Sequence, residues 1–285
     1  MLQSLTNPDI LKSVLAKHRI RPDKSLGQNF LICEEVMQSL LIALSDSPKH
    51  VTELGPGIGT LTQALIASGY RVRAIEKDDD FISIIPTVLP KNLRGNLELI
   101  HGDLKVEEWP WPDTDASPDS ASGQTFSLVG NIPYNLSGFI IRRLTKLQTT
   151  PYSAVFLMQK EVVDRLLATE NNMSLLGLSI GLWGGATLLL RVPPSCFIPQ
   201  PTVQSSLVLL RPNPSRLPVE KREEIIAKAK PFFQAKRKQI GTTMKRAYNK
   251  TEEEIQAITT KLALAPTARP ENLTVQQWIR FCEEL

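Results

Sequence analysis

A chain of 285 residues, 42% apolar and 22% charged, is ordinary for a globular protein and long enough for one large domain or a domain with a smaller companion. Its three cysteines, Cys33, Cys196 and Cys282, are scattered and form no C-x-x-C pair. That argues against a disulfide framework or a zinc site, suits a reducing compartment, and leaves no metal expected. The net charge of +4 says less than its distribution, which is uneven along the chain.

The opening MLQSLTNPDILKSVLAKHRI lacks the charged–apolar–small order of a secretion signal. No apolar run approaches the ~20 residues that span a bilayer, so a cytoplasmic location is expected. Lys12 to Lys24 then carries five Lys/Arg against one Asp. From His50 strands and helices alternate. HVTEL (50–54) reads as a strand, followed by a glycine turn and a helix over 60–68. RVRAIE (71–76) is the next strand, with a helical stretch around Phe81 to Leu89, and NLELIHGD (96–103) is the third. WPWPDTDASPDSASGQ (109–124) has almost no aliphatic residue and reads as a mobile loop. FSLVGN (126–131) is a strand before a helix from Ser137 to about Leu147, and SAVFLMQ (153–159) leads into KEVVDRLLA (160–168). This alternation implies parallel pairing and a doubly wound α/β sheet. ATLLLRV (186–192) and SSLVLLRP (205–212) follow with no helix between them, which suggests an antiparallel pair at the sheet edge.

No strand signal appears after Arg211, and the pattern becomes helical. TEEE (251–254) and TVQQ (274–277) are capping boxes that start helices at Thr251 and Thr274. The expected division is therefore residues 1–213 and a small domain of about four short helices over 214–285. Ser215 to Lys250 holds eleven Lys/Arg and three Glu, while Asp103 to Asp119 holds six acids and one lysine. A charge run can be no more than a solvated face; two basic segments opposite an acidic one also suit an enzyme of polyanions.

ELGPGIGTLT (53–62) joins the first strand to its helix, and Gly55, Gly57 and Gly59 let the backbone turn tightly and approach a ligand. The spacing differs from the dinucleotide pattern G-x-G-x-x-G. Glu76 ends the second strand, where a carboxylate can bind both hydroxyls of a ribose. Asp103 ends the third, where one can accept from an adenine amino group. Two such acids without a phosphate-binding lysine point to a nucleoside without phosphates, and S-adenosylmethionine fits. The stretch FSLVGNIPYNLSG (126–138) then holds a carboxamide and a ring, Asn131 and Tyr134, at the end of the fourth strand, stopped by Pro133.

SLGQNFL (25–31), ELGPGIGTLT, IEKD (75–78), GD (102–103), NIPYNLS (131–137) and FIPQPTVQSS (197–206), in this order, resemble the ribosomal RNA adenine N6-dimethyltransferases. The resemblance covers residues ~12–212 and extends into the tail. It implies a class I methyltransferase fold (Rossmann-like) with a small C-terminal helical domain, S-adenosylmethionine as cofactor, and RNA as substrate. It implies that Gln28, Asn29 and Leu31 close over the methionine end, with Lys77 and Leu104 beside Glu76 and Asp103. The Asn131 side-chain oxygen and the Ile132 carbonyl, stiffened by Pro133, would orient the adenine amino group, and Tyr134 and Phe197 would sandwich the flipped base. PFFQAKRKQI (231–240) resembles the small-subunit (KsgA-type) branch rather than the large-subunit branch that confers macrolide resistance. Ala235, Lys236 and Thr242 depart from its usual Gln, Arg and Asn. That branch dimethylates two adjacent adenosines in the 3′-terminal hairpin of 16S rRNA in a 30S particle, acts in ribosome assembly, and is monomeric. Lys236, Arg237 and Lys238, read as helical, and Lys17, Arg19, Arg21 and Lys24 are the RNA-binding candidates. An assembly factor without activity and a small-molecule methyltransferase are the rival readings.

Overall fold

The computed structural model describes all residues except 1–3, 23–26, 112–125 and 236. In chain order the first elements are α1 (Pro8–Lys17), β1 (Phe30–Leu31), α2 (Glu34–Ala43), β2 (His50–Leu54), α3 (Thr60–Ala67), β3 (Arg71–Glu76), α4 (Asp79–Val88), β4 (Leu97–His101) and β5 (Ser127–Asn131). There follow α5 (Ser137–Leu144), β6 (Ala154–Gln159), α6 (Lys160–Leu166), α7 (Leu175–Trp183), β7 (Gly184–Val192), β8 (Phe197–Ile198) and β9 (Ser205–Pro212). The last four helices are α8 (Val219–Gln234), α9 (Ile240–Tyr248), α10 (Glu252–Lys261) and α11 (Val275–Glu283).

The chain forms two units. The first comprises residues 1–137, 149–163 and 187–212; the second gathers 138–148, 164–186 and 213–285. In the first, seven strands form one sheet in the order β4-β3-β2-β5-β6-β9-β7. Strands β4 to β6 run parallel, with Glu53 beside Ala74 on one side and Val129 on the other. β2, β5 and β6 are buried almost throughout, as strands covered on both faces must be. The chain leaves β2 toward β3 and β4, then returns to β5 on the other side. Ligands of such sheets bind beyond the carboxyl ends of the strands at this reversal. The two strands expected at the edge lie there in the order β9, β7, with β9 antiparallel to β6.

Apolar residues of α2 and α3, including Val36, Leu40 and Leu65, share one core cluster with Val51, Val72 and Val129 of the sheet. Leu11 and Leu15 of α1 share a second with Phe30, Phe81 and Ile85. α4 begins two residues before the expected Phe81, because the Asp78 side chain accepts from Asp80 N and so caps the helix. α1, α2 and α7 were not expected. Cys33 before α2 gives no side-chain cap, and α7, although Ser174 caps it by accepting from Gly177 N, is apolar nearly all round and so shows no stripe with a 3.6-residue period.

The mobile loop expected at 109–124 needs correction at its start. Trp109 and Trp111 are buried; the Trp109 indole donates to the Leu104 carbonyl at 3.1 Å, and Trp111 stacks on His50 with centroids 4.7 Å apart. Its remainder, from residue 112, lies outside the described residues.

In the second unit Phe232 is the hub of an aromatic core, with centroids 5.6 Å from Trp278, 5.2 Å from Phe281 and 5.7 Å from Tyr248. Both capping boxes form: Glu254 and Gln277 accept from the amides of Thr251 and Thr274, whose hydroxyls accept in return. Arg222 is buried at the start of α8, where it donates to the carbonyls of Leu217 and Thr145. Arg237 and Lys238 of the basic triplet are not helical. α8 ends at Gln234, and exposed Arg237 (φ 67°) and Lys238 stand in the turn before α9; Lys236 lies outside the described residues.

Candidate functional site

At the carboxyl ends of β2, β3, β4 and β5 the first unit encloses a cavity of about 470 Å³. Each strand contributes one end of its wall. Beyond β2 the turn carries Gly55, Gly57 and Gly59 at φ 71°, 56° and 89°, a region that side chains other than glycine rarely adopt. Gly55 and Gly57 line the cavity. Gly59 does not: it caps the start of α3 in a left-handed conformation, while a Cβ there would meet Ile85 and Val88 of α4 only at an ordinary 3.5 Å, so its backbone conformation, not space, calls for glycine.

Glu76 ends β3 in the wall and is 9% exposed. Its carboxylate accepts three backbone amides, from Gly57 at 2.9 Å, Lys77 at 2.7 Å and Asp78 at 2.9 Å. Burial raises its pKa, and these three hydrogen bonds oppose the rise. The glycine turn and the strand end are thus held together by the acid expected to meet a ribose. Asp103, beyond β4, accepts from Lys77 Nζ and from Lys105 N, each at 2.9 Å. The hydrogen bond from Lys77 lowers its pKa. Leu104 and Lys77 also line the cavity, as do Gln28, Asn29 and Leu31 from the N-terminal loop and β1.

Beyond β5 the wall changes character. Asn131 donates from Nδ2 to the Asn29 carbonyl at 2.7 Å. A carbonyl can only accept, so this contact fixes the flip of the amide and turns Oδ1 away from Asn29. Ile132 N donates to the Leu157 carbonyl at 2.9 Å, while its side chain is fully buried. Pro133 lines the cavity and packs against Gly27, where a Cβ would lie 3.5 Å from Pro133 Cβ and Tyr134 N. Tyr134 is half-buried, with its hydroxyl 2.9 Å from that of Ser205, so NIPY and the end of FIPQPTVQSS meet. Phe197 does not take the place expected of it. Its ring is 1% exposed, in the core cluster of Leu31, Leu157 and Leu207, and its backbone pairs with Leu31. Those three neighbours line the cavity and Phe197 does not, so in this structure it supports the wall.

Among the wall residues missed in the sequence, three stand out. Glu53 is 1% exposed on β2 and accepts from the Thr62 hydroxyl at 2.7 Å. Burial pushes its pKa up to about 8, opposed by Thr62 and reinforced by Glu76. Its only signal was a carboxylate inside a strand buried on both faces. Thr60 is buried, and its Oγ1 has no hydrogen-bond partner. Gly130 is the residue before Asn131, and a Cβ there would lie 2.8 Å from the Leu54 carbonyl. A glycine inside a strand marks such close approach. The RNA-binding candidates Lys17, Arg19 and Arg21 are exposed, and Lys24 lies outside the described residues.

Solved structures with the same fold include the 23S rRNA methyltransferase ErmE, with TM-score 0.64 and 21% identity over 90% of this chain and 99% of that one. Another is a dimethyladenosine transferase from Plasmodium falciparum, with TM-score 0.62 and 23% identity over 98% and 96%. In sequence, the ribosomal RNA small subunit methyltransferase A of Lactobacillus acidophilus is 31% identical over 98% of this chain and 96% of its own. That of Synechococcus elongatus is 33% identical over 92% and 94%. Residues 17–285 match the family described as ribosomal RNA adenine dimethylase. With that match over nearly its whole length and such relatives beside it, the chain belongs to the ribosomal RNA adenine dimethylase family.

Proposed function

We propose that the protein transfers methyl groups from S-adenosylmethionine to the N6 atoms of two adjacent adenosines in the 3′-terminal hairpin of small-subunit rRNA, within a 30S particle. The observation that carries this reading is the carboxamide of Asn131, locked by Asn29 in the wall of a cavity that also holds Glu76 and Asp103. The wall fits the cofactor: two carboxylates for a nucleoside, glycine backbone for close approach, and a buried Thr60 hydroxyl without a partner. Glu76 and Gly57 would hold the ribose and Asp103 the adenine edge, with Gln28, Asn29 and Leu31 over the methionine end. When bound, S-adenosylmethionine supplies an electrophilic methyl group on a good leaving sulfur.

An adenine amino group is a poor nucleophile because its lone pair is delocalised into the ring. The Asn131 oxygen and the Ile132 carbonyl can each accept one of its N–H groups, which favours a more tetrahedral nitrogen with its lone pair aimed at the methyl. Pro133 restricts the backbone that carries the Ile132 carbonyl. Tyr134 offers a stacking face worth ~1–3 kcal/mol to the extruded base. No strong base is needed, because the nitrogen loses its proton readily once alkylated. Positioning and electrostatics carry the rate. Exposed Arg19, Arg21, Arg237 and Lys238 would bind phosphates, which position an RNA without reading it.

The small-subunit assignment is favoured by the names of the relatives above 30% identity, and a role in assembly in the cytoplasm, as a monomer, goes with it. The test offers labelled S-adenosylmethionine with undermethylated 30S particles, 50S particles or naked rRNA, and maps the product by mass spectrometry. Two dimethyladenosines in the 30S hairpin are expected. Transfer to 50S RNA alone would move the chain to the large-subunit branch, and binding without transfer would make it an assembly factor.

A further inference from the structure

Glu53 and Glu76 lie in one cavity wall but are held differently. Glu76 has three backbone N–H donors. For Glu53 the donors are the hydroxyl and the backbone N–H of a single residue, Thr62, and its sheet neighbours are Ala74 and Val129. A carboxylate 1% exposed, with only neutral donors and no cation among the described residues against it, is costly to ionise.

We propose that Glu53 carries a proton while the cavity is empty and releases it when the cationic methionine end of S-adenosylmethionine enters, so that cofactor uptake is coupled to proton release. This rests on the cofactor reading above and adds a positioning residue to it. The register supports the placement. Ala74 is two residues before Glu76, and Val129 two before Asn131, so Glu53 sits between the strand carrying the ribose acid and the strand carrying the reaction amide.

The groups around Glu53 leave it as the one to titrate. β3 brings Glu76, already served by amides; β5 brings the neutral Asn131; α3 brings the Thr62 hydroxyl; the N-terminal loop brings the neutral Gln28 and Asn29; α2 brings Val36 and Leu40. Beyond β3 and β4 stand Lys77, Asp78, Asp103 and Lys105, with Lys77 paired to Asp103. Burial holds Glu53 near pKa 8, so at neutral pH the empty site is mostly protonated. A cation beside it favours the carboxylate and draws the pKa down. Affinity should therefore rise with pH up to about 8 and be flat above; below that, each pH unit should weaken binding roughly tenfold.

Titration calorimetry of the full chain with S-adenosylmethionine at pH 7, in two buffers of different ionisation heat, counts the protons released. Wild type should release roughly one more than Glu53→Gln, which keeps a hydrogen bond to Thr62 but cannot ionise. Protonation of the ligand's own amino group is common to both and cancels. Equal release by the two proteins would overturn the proposal. If Glu53→Gln fails to fold, infrared difference spectra of wild type serve: cofactor addition should remove a protonated-carboxyl C=O band, and an unchanged band overturns the proposal. Binding without proton release would leave the cofactor reading standing, whereas no binding at all would remove that reading and the proposal together.

Discussion

The two ends of the cavity are built from different chemistry. At the ends of β3 and β4 the groups are charged, Glu76 on three amides and Asp103 on Lys77. At the end of β5 they are neutral, a carboxamide and a backbone carbonyl fixed by Asn29 and Pro133. Charge suits recognition of a nucleoside, where ionic hydrogen bonds to hydroxyls and amines are strong. Neutral acceptors suit an amine that must be aimed and kept reactive, since a strong base would have nothing to remove before the methyl moves. Binding and rate should therefore separate along the cavity, and substitutions at its two ends can break that division.

The largest effect is expected at the neutral end. Asn131→Ala removes one acceptor and should lower the methyl-transfer rate by ~10²–10³, the size of a lost transition-state hydrogen bond. Affinities for cofactor and 30S particles, read by calorimetry and filter binding, should change little. Normal turnover by this variant would refute the role given to the motif. At the charged end the pattern should invert. Glu76→Gln gives up a charge-assisted acceptor, for a loss of roughly 1–3 kcal/mol in S-adenosylmethionine affinity. A folded variant with unchanged affinity would remove Glu76 from the site.

How much of this was legible depended on where the signal lay. β2, β3, β5 and β9 were readable because apolar runs end in glycine, proline or acid, β6 because its apolar run breaks at Gln159 and Lys160, and the strand-end residues Glu76, Asp103 and Asn131 do reach one cavity. Long-range contacts were not readable. Nothing near Asn29 announces that its carbonyl, 102 residues from Asn131, sets the flip of that amide. Phe197 read as an aromatic on a proline-stiffened loop, its stacking role implied by the family resemblance alone, and the two-residue ladder with β1 draws it into the core. The triplet at 236–238 looked helical by continuity with α8, yet Arg237 takes a left-handed conformation. Trp109 and Trp111 were masked by the Pro- and Asp-rich composition that follows them.

That turn gives the next expected effect. With both side chains exposed, the double variant Arg237→Ala, Lys238→Ala should weaken 30S binding and flatten its dependence on log salt by about one to two units. Cofactor affinity should stay the same, because neither residue lines the cavity. A wild-type salt slope would move RNA docking to Lys17, Arg19 and Arg21.

The smallest effect tests a complication within the charged end. Lys77 Nζ is 2.9 Å from Asp103 Oδ2, with the two side chains 75% and 30% exposed. An adenine amino group seeking Asp103 must share that carboxylate with Lys77 or displace it. Exposed pairs are worth ~0–1 kcal/mol, so Lys77→Met should alter S-adenosylmethionine affinity by no more than about fivefold. If Lys77 competes, the variant binds more tightly at low salt, and the two proteins converge at high salt as screening loosens the pair. The pH dependence carries the same information. Lys77 holds the Asp103 carboxyl below its ordinary range, so its ionised form survives further into acid in wild type. Without Lys77, Asp103 should take up its proton at higher pH, and binding should fall off earlier as the medium is acidified. Weaker binding by Lys77→Met at every salt concentration would instead mean that the lysine stem or its charge touches the nucleoside directly, and Lys77 would then belong to the binding wall rather than compete with it.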